Sequence, residues 1–364
     1  MGLARERLNL GACGLTPGVI ATIQGARAQS TNTLYGYKWR LFETWCSEQS
    51  PPVVSFQAPI GAVLNFLQGR LEAGLSHSTI KVYLSAISAC HLGFDGKTVG
   101  AHPLMIRFMK GVHRAKLTSS PLFPDWDLSV VLGALCGPPF EPLESVDLKI
   151  LSLKTVLLVA LTTTKRVSDI GALSVAPECM RFRGDGGKVW LKPNVKFLPK
   201  TLRIVDTPTE LAAFHPPPFE TEEDRRLNGL CPVRAMRLYK QRTQAVRSTN
   251  QLFISYDTRQ KGSAVARSTL SRWIVEAISL AYTSAGVPVP EGLKAHSTRA
   301  VASSWAFARG ASVQEVCLAA NWSSPTTFAV FYSLDVAASS VPHAVLGVAG
   351  SSTEVVMGQQ EAAL

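Results

Sequence analysis

Apolar residues recur at intervals of three and four in four successive stretches between residues 31 and 116, which is the spacing of amphipathic helices. The first stretch carries a stripe of Leu34, Tyr35, Trp39, Phe42 and Trp45. The second follows Pro59 and the fourth follows Pro103. The third is expected to begin at a serine cap, Ser76 or Ser78, and to bury Ile80, Leu84 and Ile87. The pattern predicts a compact helical domain over residues 31–116.

The segments that flank this domain lack a sustained period. Residues 1–30 carry glycine and alanine without an apolar stripe, which predicts a flexible N-terminal arm. Residues 117–125 include Pro121 and Pro124, two residues that interrupt helices, and this composition predicts a linker. A second domain is therefore expected over residues 126–345, followed by a C-terminal tail over 346–364.

The second domain mixes helical and strand-like patterns. Helical periods lie around residue 130 and over 148–162, and they resume at 232, 268 and 296. Between them, Val189, Leu191, Val195 and Phe197 alternate within a stretch bounded by glycines and prolines, which predicts a hairpin with its turn near residues 194–198. Residues 215–226 are expected to form an exposed loop. The whole chain is predicted to be mainly α with a small antiparallel β-sheet, arranged as two domains.

Composition narrows the class of protein. Hydrophobic residues make up 46% of the chain and charged ones 17%, so the chain can bury a core. Lysine and arginine outnumber aspartate and glutamate by 37 to 26, a net charge of +11 that suits a polyanion such as nucleic acid. The seven cysteines include no CxxC pair, which argues against zinc and predicts reduced thiols. Without a membrane span or signal peptide, a soluble protein of the cytosol or nucleus is expected.

Several basic and aromatic residues suit chemistry on a phosphodiester. Cleavage of that bond without a metal needs cations on the non-bridging oxygens, an in-line nucleophile and a proton donor for the leaving oxygen. His296 and Arg299 begin a predicted helix on one face, at the end that attracts anions. Arg166 follows an apolar helix, with Asp169 able to orient it or simply pair with it, and Tyr332 lies near two phenylalanines. Taken singly, each residue also fits a structural role as a capping cation or a core aromatic.

The order and spacing of these residues resemble the active-site series of tyrosine recombinases and phage-type integrases. That series runs from an arginine through a hairpin lysine and an HxxR pair to a tyrosine, here from Arg166 to Tyr332, with Trp322 where many members have a histidine. The sequences of three segments are most similar to those of the recombinases of DIRS-type retrotransposons, namely LCPVRAMRLY, AHSTRAVASSWA and NWSSPTTFAVFYSLDV. The resemblance covers residues 31–345 and implies a helical core-binding domain followed by an α+β catalytic domain.

The resemblance also implies a role for each residue. Arg166 and Arg299 would bind the non-bridging oxygens of the scissile phosphate. His296 would contact the phosphate or take the tyrosine proton, and Trp322 would donate its indole N–H. Tyr332 would attack phosphorus and leave a 3′-phosphotyrosine and a free 5′-hydroxyl, with no metal and no other cofactor.

The general acid of the reaction is expected to be a hairpin lysine. Lys192, Lys196 and Lys200 all lie in the predicted hairpin. The lysine of this family sits in the turn or at the start of the returning strand, beside the scissile phosphate. Lys200 fits the start of that strand and is favoured as the acid, whereas Lys196 fits the turn and is expected to contact DNA.

Double-stranded DNA is the partner that the resemblance implies, bound by a homotetramer on two sites in the nucleus. Cations of the N-terminal domain are expected to hold the DNA, namely Lys81, Arg107, Lys110 and Arg114. The expected function is cleavage and rejoining of strands that integrates the DNA of a mobile element. Three alternatives stay open: a silent, domesticated DNA-binding derivative of such a recombinase, a helical interaction or transcription-related protein, and a type IB topoisomerase.

Overall fold

The computed structural model describes residues 2–115, 123–197 and 208–336, with side chains from residue 4. The chain divides into two compact units between Ser119 and Ser120. The described part of the first unit contains helices only, and that of the second combines helices with a three-stranded antiparallel sheet. The predicted fold class, mainly α with a small antiparallel sheet, is confirmed.

Six α-helices make up the described part of the N-terminal unit: α1 (Gly2–Ala12), α2 (Pro17–Gly25), α3 (Gln29–Ser47), α4 (Ile60–Glu72), α5 (His77–Cys90) and α6 (Pro103–Ala115). The core lies among α3 to α6. Ser76 caps α5 as predicted, since its hydroxyl accepts a hydrogen bond from the Thr79 N–H at 3.3 Å. The predicted α3 stripe is buried at Trp39 and Phe42 but not at Leu34, which is 43% exposed.

The predicted flexible arm is instead a pair of helices, α1 and α2. The Asn9 amide donates a hydrogen bond to the Cys90 carbonyl at 2.7 Å, which fastens α1 to the end of α5. Glu6 is buried and forms an ion pair with Arg27, which joins α1 to the residues after α2. These contacts link residues that are distant in sequence, so hydrophobic periodicity does not reveal them.

The C-terminal unit contains the remaining elements: α7 (Leu128–Leu135), α8 (Leu148–Thr163), α9 (Val167–Gly171), β1 (Met180–Phe182), β2 (Lys188–Leu191), β3 (Thr209–Ala212), α10 (Glu222–Leu227), α11 (Pro232–Thr243), α12 (Arg267–Ser284), α13 (Ser297–Ala308), α14 (Val313–Ala320) and α15 (Pro325–Phe331). Helix α8 is central, because every residue from Leu151 to Leu161 is buried, and it packs against α11 and α12. Most of the predicted linker (117–122) and the whole predicted tail (346–364) lie outside the described residues.

The hairpin region agrees with the prediction in part. Strand β2 pairs with both β1 and β3, and Val189 and Leu191 are buried as expected. The strand ends there because Pro193 has no N–H to continue the ladder. The predicted turn is present, with the Phe197 N–H donating to the Asn194 carbonyl at 2.8 Å. Val195 lies in this turn and is 83% exposed.

The predicted loop at 215–226 is also partly wrong, because its second half forms helix α10. Thr221 and Asp224 form a capping box, in which each side chain accepts a hydrogen bond from the other residue's backbone N–H at 3.0 Å. The helix is nevertheless exposed, and the acidic run at its start is an ordinary N-terminal turn. Among the helices of the described ranges, none has the length and apolar character that a membrane crossing requires.

Candidate active site

His296 and Arg299 lie together at the N-terminal end of helix α13. His296 occupies the N-cap position, and Arg299 follows within the first turn. Two neighbours brace the turn before the helix: the Trp126 indole N–H donates to the Ser297 hydroxyl at 2.9 Å, and that hydroxyl donates to the Lys294 carbonyl at 2.7 Å. The predicted pairing of the two residues at the beginning of a helix is therefore present.

Arg299 is an almost completely buried cation, with 1% of its surface exposed. Its guanidinium carbon lies 4.7 Å from the Trp322 ring centroid and 5.3 Å from that of Tyr332. One terminal nitrogen donates to the Ala320 carbonyl, while Nε and Nη1 have no hydrogen-bond partner among the described residues. Burial and the nearby charge of Arg166 lower its pKa to about 10, so it stays protonated at neutral pH.

The ring of Trp322 packs against the ring of Tyr332. Helix α14 ends at Ala320, and the left-handed conformation of the next residue, Asn321, with a φ of 58°, turns Trp322 back into the unit. The Trp322 ring is buried and lies 4.6 Å, centroid to centroid, from the Tyr332 ring. Its indole N–H is buried and has no hydrogen-bond partner among the described residues.

Tyr332 directly follows α15 and points its hydroxyl toward His296. The phenol oxygen is 3.3 Å from His296 Nε2, and the histidine tautomer decides which atom donates. The hydroxyl of Ser304, a buried residue of α13, donates to the Tyr332 carbonyl and accepts from the Leu334 N–H, both at 2.8 Å. Ser304 belongs to none of the motifs described above, although a serine within the buried face of a helix is a visible polar interruption of the apolar pattern.

Arg166 and Asp169 lie at the start of α9, close enough to this site for their charges to act on Arg299. Helix α8 ends at Thr163, and the next residue, Thr164, has a φ of 48° that reverses the chain. Arg166 then occupies the N-cap position of α9, without a capping hydrogen bond from its side chain. The positive charge of Arg166 lowers the pKa of both His296 and Arg299, which places the three groups in one electrostatic neighbourhood. Asp169 is buried, and its negative charge acts on Arg299 in the opposite direction.

Lys165, which belongs to none of the motifs described above, also lies close to Asp169 and Arg299. Burial is the main reason why the pKa of Lys165 is lowered, and the charge of Arg299 adds to the effect while Asp169 opposes it. Of the three hairpin lysines, Lys196 lies exposed in the turn and Lys192 is half-buried just past β2. Lys200, the favoured acid, lies outside the described residues.

A second candidate surface lies on the N-terminal unit. Arg107, Lys110 and Arg114 are exposed and recur along α6 at helical spacing. The His77 ring, at the start of α5, lies 5.0 Å from that of His113 on α6, and the charge of exposed Lys81 also reaches His77. The start of α5 and the end of α6 therefore form one basic face, which we define by Lys81, Arg107, Lys110 and Arg114.

We expect His296 to titrate below its ordinary pKa of 6.5 in the free protein, because desolvation of its ring and the charges of Arg299 and Arg166 disfavour the imidazolium. A lowered pKa in the folded state means that stability is lost as the pH falls below 6.5. The unfolding free energy should therefore drop less between pH 7 and pH 5 in His296→Gln, which cannot titrate there. NMR titration of the imidazole checks the first point, and a midpoint above 6.5 would contradict it.

The fold of this chain is similar to that of solved recombinases. No protein-family model matches the sequence, and no curated protein matches it. Among solved structures, the chain is similar to the Tn1549 transposon integrase in complex with transposon right end DNA, at 13% identity over 90% of this chain and 96% of that one, with a TM-score of 0.56. It is also similar to the XerH site-specific recombinase bound to difH substrate, at 14% identity over 87% and 78%, with a TM-score of 0.50. The chain has the fold of the tyrosine recombinases.

Proposed function

We propose that this protein is a tyrosine recombinase that cleaves and rejoins DNA strands through Tyr332. The observation that carries the proposal is the burial of the Arg299 guanidinium beside the rings of Tyr332 and Trp322, with two of its nitrogens lacking hydrogen-bond partners among the described residues. Burying a cation whose donors lack partners among the described residues is costly, and a non-bridging phosphate oxygen would add its negative charge to that of Asp169 and accept hydrogen bonds from these donors. The similarity to solved recombinases bound to DNA supports the same assignment.

The chemistry follows from the positions of the side chains. The Tyr332 oxygen attacks phosphorus, the bond to the 5′-oxygen breaks, and a 3′-phosphotyrosine forms. Arg166 and Arg299 stabilise the charge on the non-bridging oxygens, and the Trp322 indole N–H, which has no partner among the described residues, adds a donor. His296 Nε2, at 3.3 Å, is within reach of the phenol proton. Because the ester retains the bond energy, a free 5′-hydroxyl can reverse the reaction without ATP.

A substrate with a nick near the cleavage site tests the proposal. Cleavage releases a short fragment that diffuses away, so the protein stays attached to the DNA and migrates as a larger species in a denaturing gel. Peptide mapping of this species should place the nucleotide on Tyr332. A protein that binds the substrate but never becomes attached would instead be the silent DNA-binding derivative.

The leaving 5′-oxygen needs a proton, and we assign its donor to Lys200, with Lys196 as the alternative. A substrate with sulfur in place of that oxygen identifies the acid, because a thiolate departs without a proton. Lys200→Ala is expected to cleave normal DNA slowly and to regain speed on the sulfur substrate, while Lys196→Ala shows no such rescue. Rescue of the Lys196 variant alone would transfer the role to Lys196.

The basic face of the N-terminal unit is assigned to phosphate contacts that strengthen DNA binding. Replacing both Lys110 and Arg114 with alanine should weaken binding about tenfold and reduce the slope of log affinity against log salt by up to about 2, since each lost phosphate contact accounts for about 0.9. The matched control replaces Arg225 and Arg226 of α10, two exposed arginines already paired with Glu222 and Glu223. Equal salt slopes for the two double variants would refute the assignment.

The biological setting is proposed on the resemblance in sequence alone. We assign the protein to the integration of a mobile element similar to the DIRS-type retrotransposons, acting in the nucleus as a homotetramer on two DNA sites. Strand exchange between two duplexes distinguishes this activity from that of a type IB topoisomerase, which relaxes supercoils as a monomer. Light scattering of the complex with DNA measures the stoichiometry, and localisation of a tagged chain tests the compartment.

A further inference from the structure

A single buried hydroxyl joins the backbone around Tyr332 to helix α13. Ser304 is 2% exposed, and its oxygen donates to the carbonyl of Tyr332 and accepts from the N–H of Leu334, each at 2.8 Å. At Tyr332 the backbone leaves α15, with φ −134° and ψ −9°, so these two groups have no helical partners of their own. The Ser304 hydroxyl therefore replaces the hydrogen bonds that the end of α15 cannot supply.

The position of this contact matters because α13 also carries Arg299. A helix is rigid over the short distance from Arg299 to Ser304, so the group that would bind the phosphate and the contact to the tyrosine backbone move as one body. The phenol is further limited by its ring contact with Trp322, 4.6 Å between centroids, and by its proximity to His296. The contact with Ser304 therefore fixes the position of the backbone from which the Tyr332 side chain projects.

We propose that Ser304 is a positioning residue that holds Tyr332 against the helix bearing Arg299, so that the phenol oxygen is aligned with the phosphate bound in the same site. The inference rests on the proposed strand-transfer function. Ser304 does not touch the reacting atoms, and its effect is exerted through the Tyr332 backbone. Displacement of a reacting group by about 1 Å can cost on the order of 100-fold in rate, so loss of this contact should be seen in the cleavage step.

Ser303 provides a matched control on the same helix. It is completely buried, and its hydroxyl donates to the carbonyls of Arg299 and Ala300, at 2.7 and 3.1 Å, both within α13. Ser303→Ala thus removes the same atom from the same helix at the same depth but leaves the tyrosine backbone in place. A general loss of stability in α13 should affect both alanine variants, whereas a positioning role should affect only Ser304→Ala.

The experiment measures single-turnover cleavage of the nicked substrate by the full chain at saturating DNA. We expect Ser304→Ala to cleave about 10- to 100-fold more slowly with DNA affinity unchanged within about twofold, and Ser303→Ala to cleave at close to the normal rate. Hydrogen exchange supplies a readout independent of activity, because the Leu334 amide loses its acceptor in Ser304→Ala and should exchange faster. Ser304→Cys, which keeps a weaker donor and acceptor, should lie between the wild type and the alanine variant.

Each outcome decides the inference. Normal cleavage by Ser304→Ala, or equal losses in the two alanine variants, would overturn it while leaving the proposed function intact, since the wild type still forms the adduct. If Ser304→Ala fails to fold, the cysteine variant decides: a cleavage rate equal to that of the wild type, with unchanged exchange at Leu334, overturns the inference. Failure of the wild type itself to form an adduct would instead remove the proposed function.

Discussion

Replacement of Tyr332 by phenylalanine is expected to abolish the covalent protein–DNA adduct, with cleavage reduced by at least about 10⁴-fold, while DNA binding stays within about twofold of normal. The substitution removes only the nucleophilic oxygen. The ring retains its contacts with Trp322 and with the Arg299 guanidinium, so the packing of the site should not change. The hydrogen bond to His296, which is long at 3.3 Å and exposed, contributes little to stability.

Tyr282 provides the control for this prediction. It lies in α12, the helix that precedes α13, but it is 4% exposed, and its hydroxyl accepts a hydrogen bond from the Asp127 N–H at 2.6 Å. Tyr282→Phe should cost about 1–3 kcal/mol of unfolding free energy, because it leaves that N–H unpaired, and it should still form the adduct. An adduct that persists in Tyr332→Phe and disappears in Tyr282→Phe would reverse the assignment of the nucleophile.

Arg299→Met is expected to separate activity from stability. Methionine fills a similar volume between the Trp322 and Tyr332 rings but carries neither charge nor donors, so cleavage should fall by about 10³- to 10⁵-fold. The free protein no longer buries a cation with two nitrogens that lack partners among the described residues, but it loses the hydrogen bond to the Ala320 carbonyl, the attraction of Asp169 and the contacts of the guanidinium with the two rings. Because these effects oppose one another, its unfolding free energy should change by less than about 2 kcal/mol. Single-turnover cleavage and chemical denaturation measure the two effects.

Two further variants identify the source of the effect. Arg299→Lys keeps a buried charge but loses the planar fork that can bind two phosphate oxygens, so it should lose activity without gaining stability. Arg247 is a partly buried arginine whose guanidinium donates to the carbonyls of Gln251 and Leu252 and to the Thr243 hydroxyl. Arg247→Met should therefore destabilise the protein, since its partners lose their donor. Destabilisation of Arg299→Met to the same extent would mean that Arg299 is structural.

The order of most helices could be predicted from the sequence because their signals are local. Apolar periodicity predicted α3 to α6 and the buried helix α8, and the serine before α5 predicted the N-cap of that helix. The HxxR spacing identified two residues that helical geometry places together at the start of α13. Signals of this kind extend over one or two turns of chain, and for these elements the predictions and the structure agree.

Tertiary structure alone decided the features that depend on residues far apart in sequence. The N-terminal segment looked unstructured because the contacts that hold it, from Asn9 to Cys90 and from Glu6 to Arg27, have no periodic signature. Nothing in the local sequence distinguishes Ser304, which contacts the tyrosine backbone, from Ser303, which bonds within its own helix. The burial of Arg299 likewise arises only when α13, the end of α14 and Tyr332 converge. A sequence pattern shows which residues can share a face, whereas the desolvation and the unpaired donors of a site depend on which faces meet.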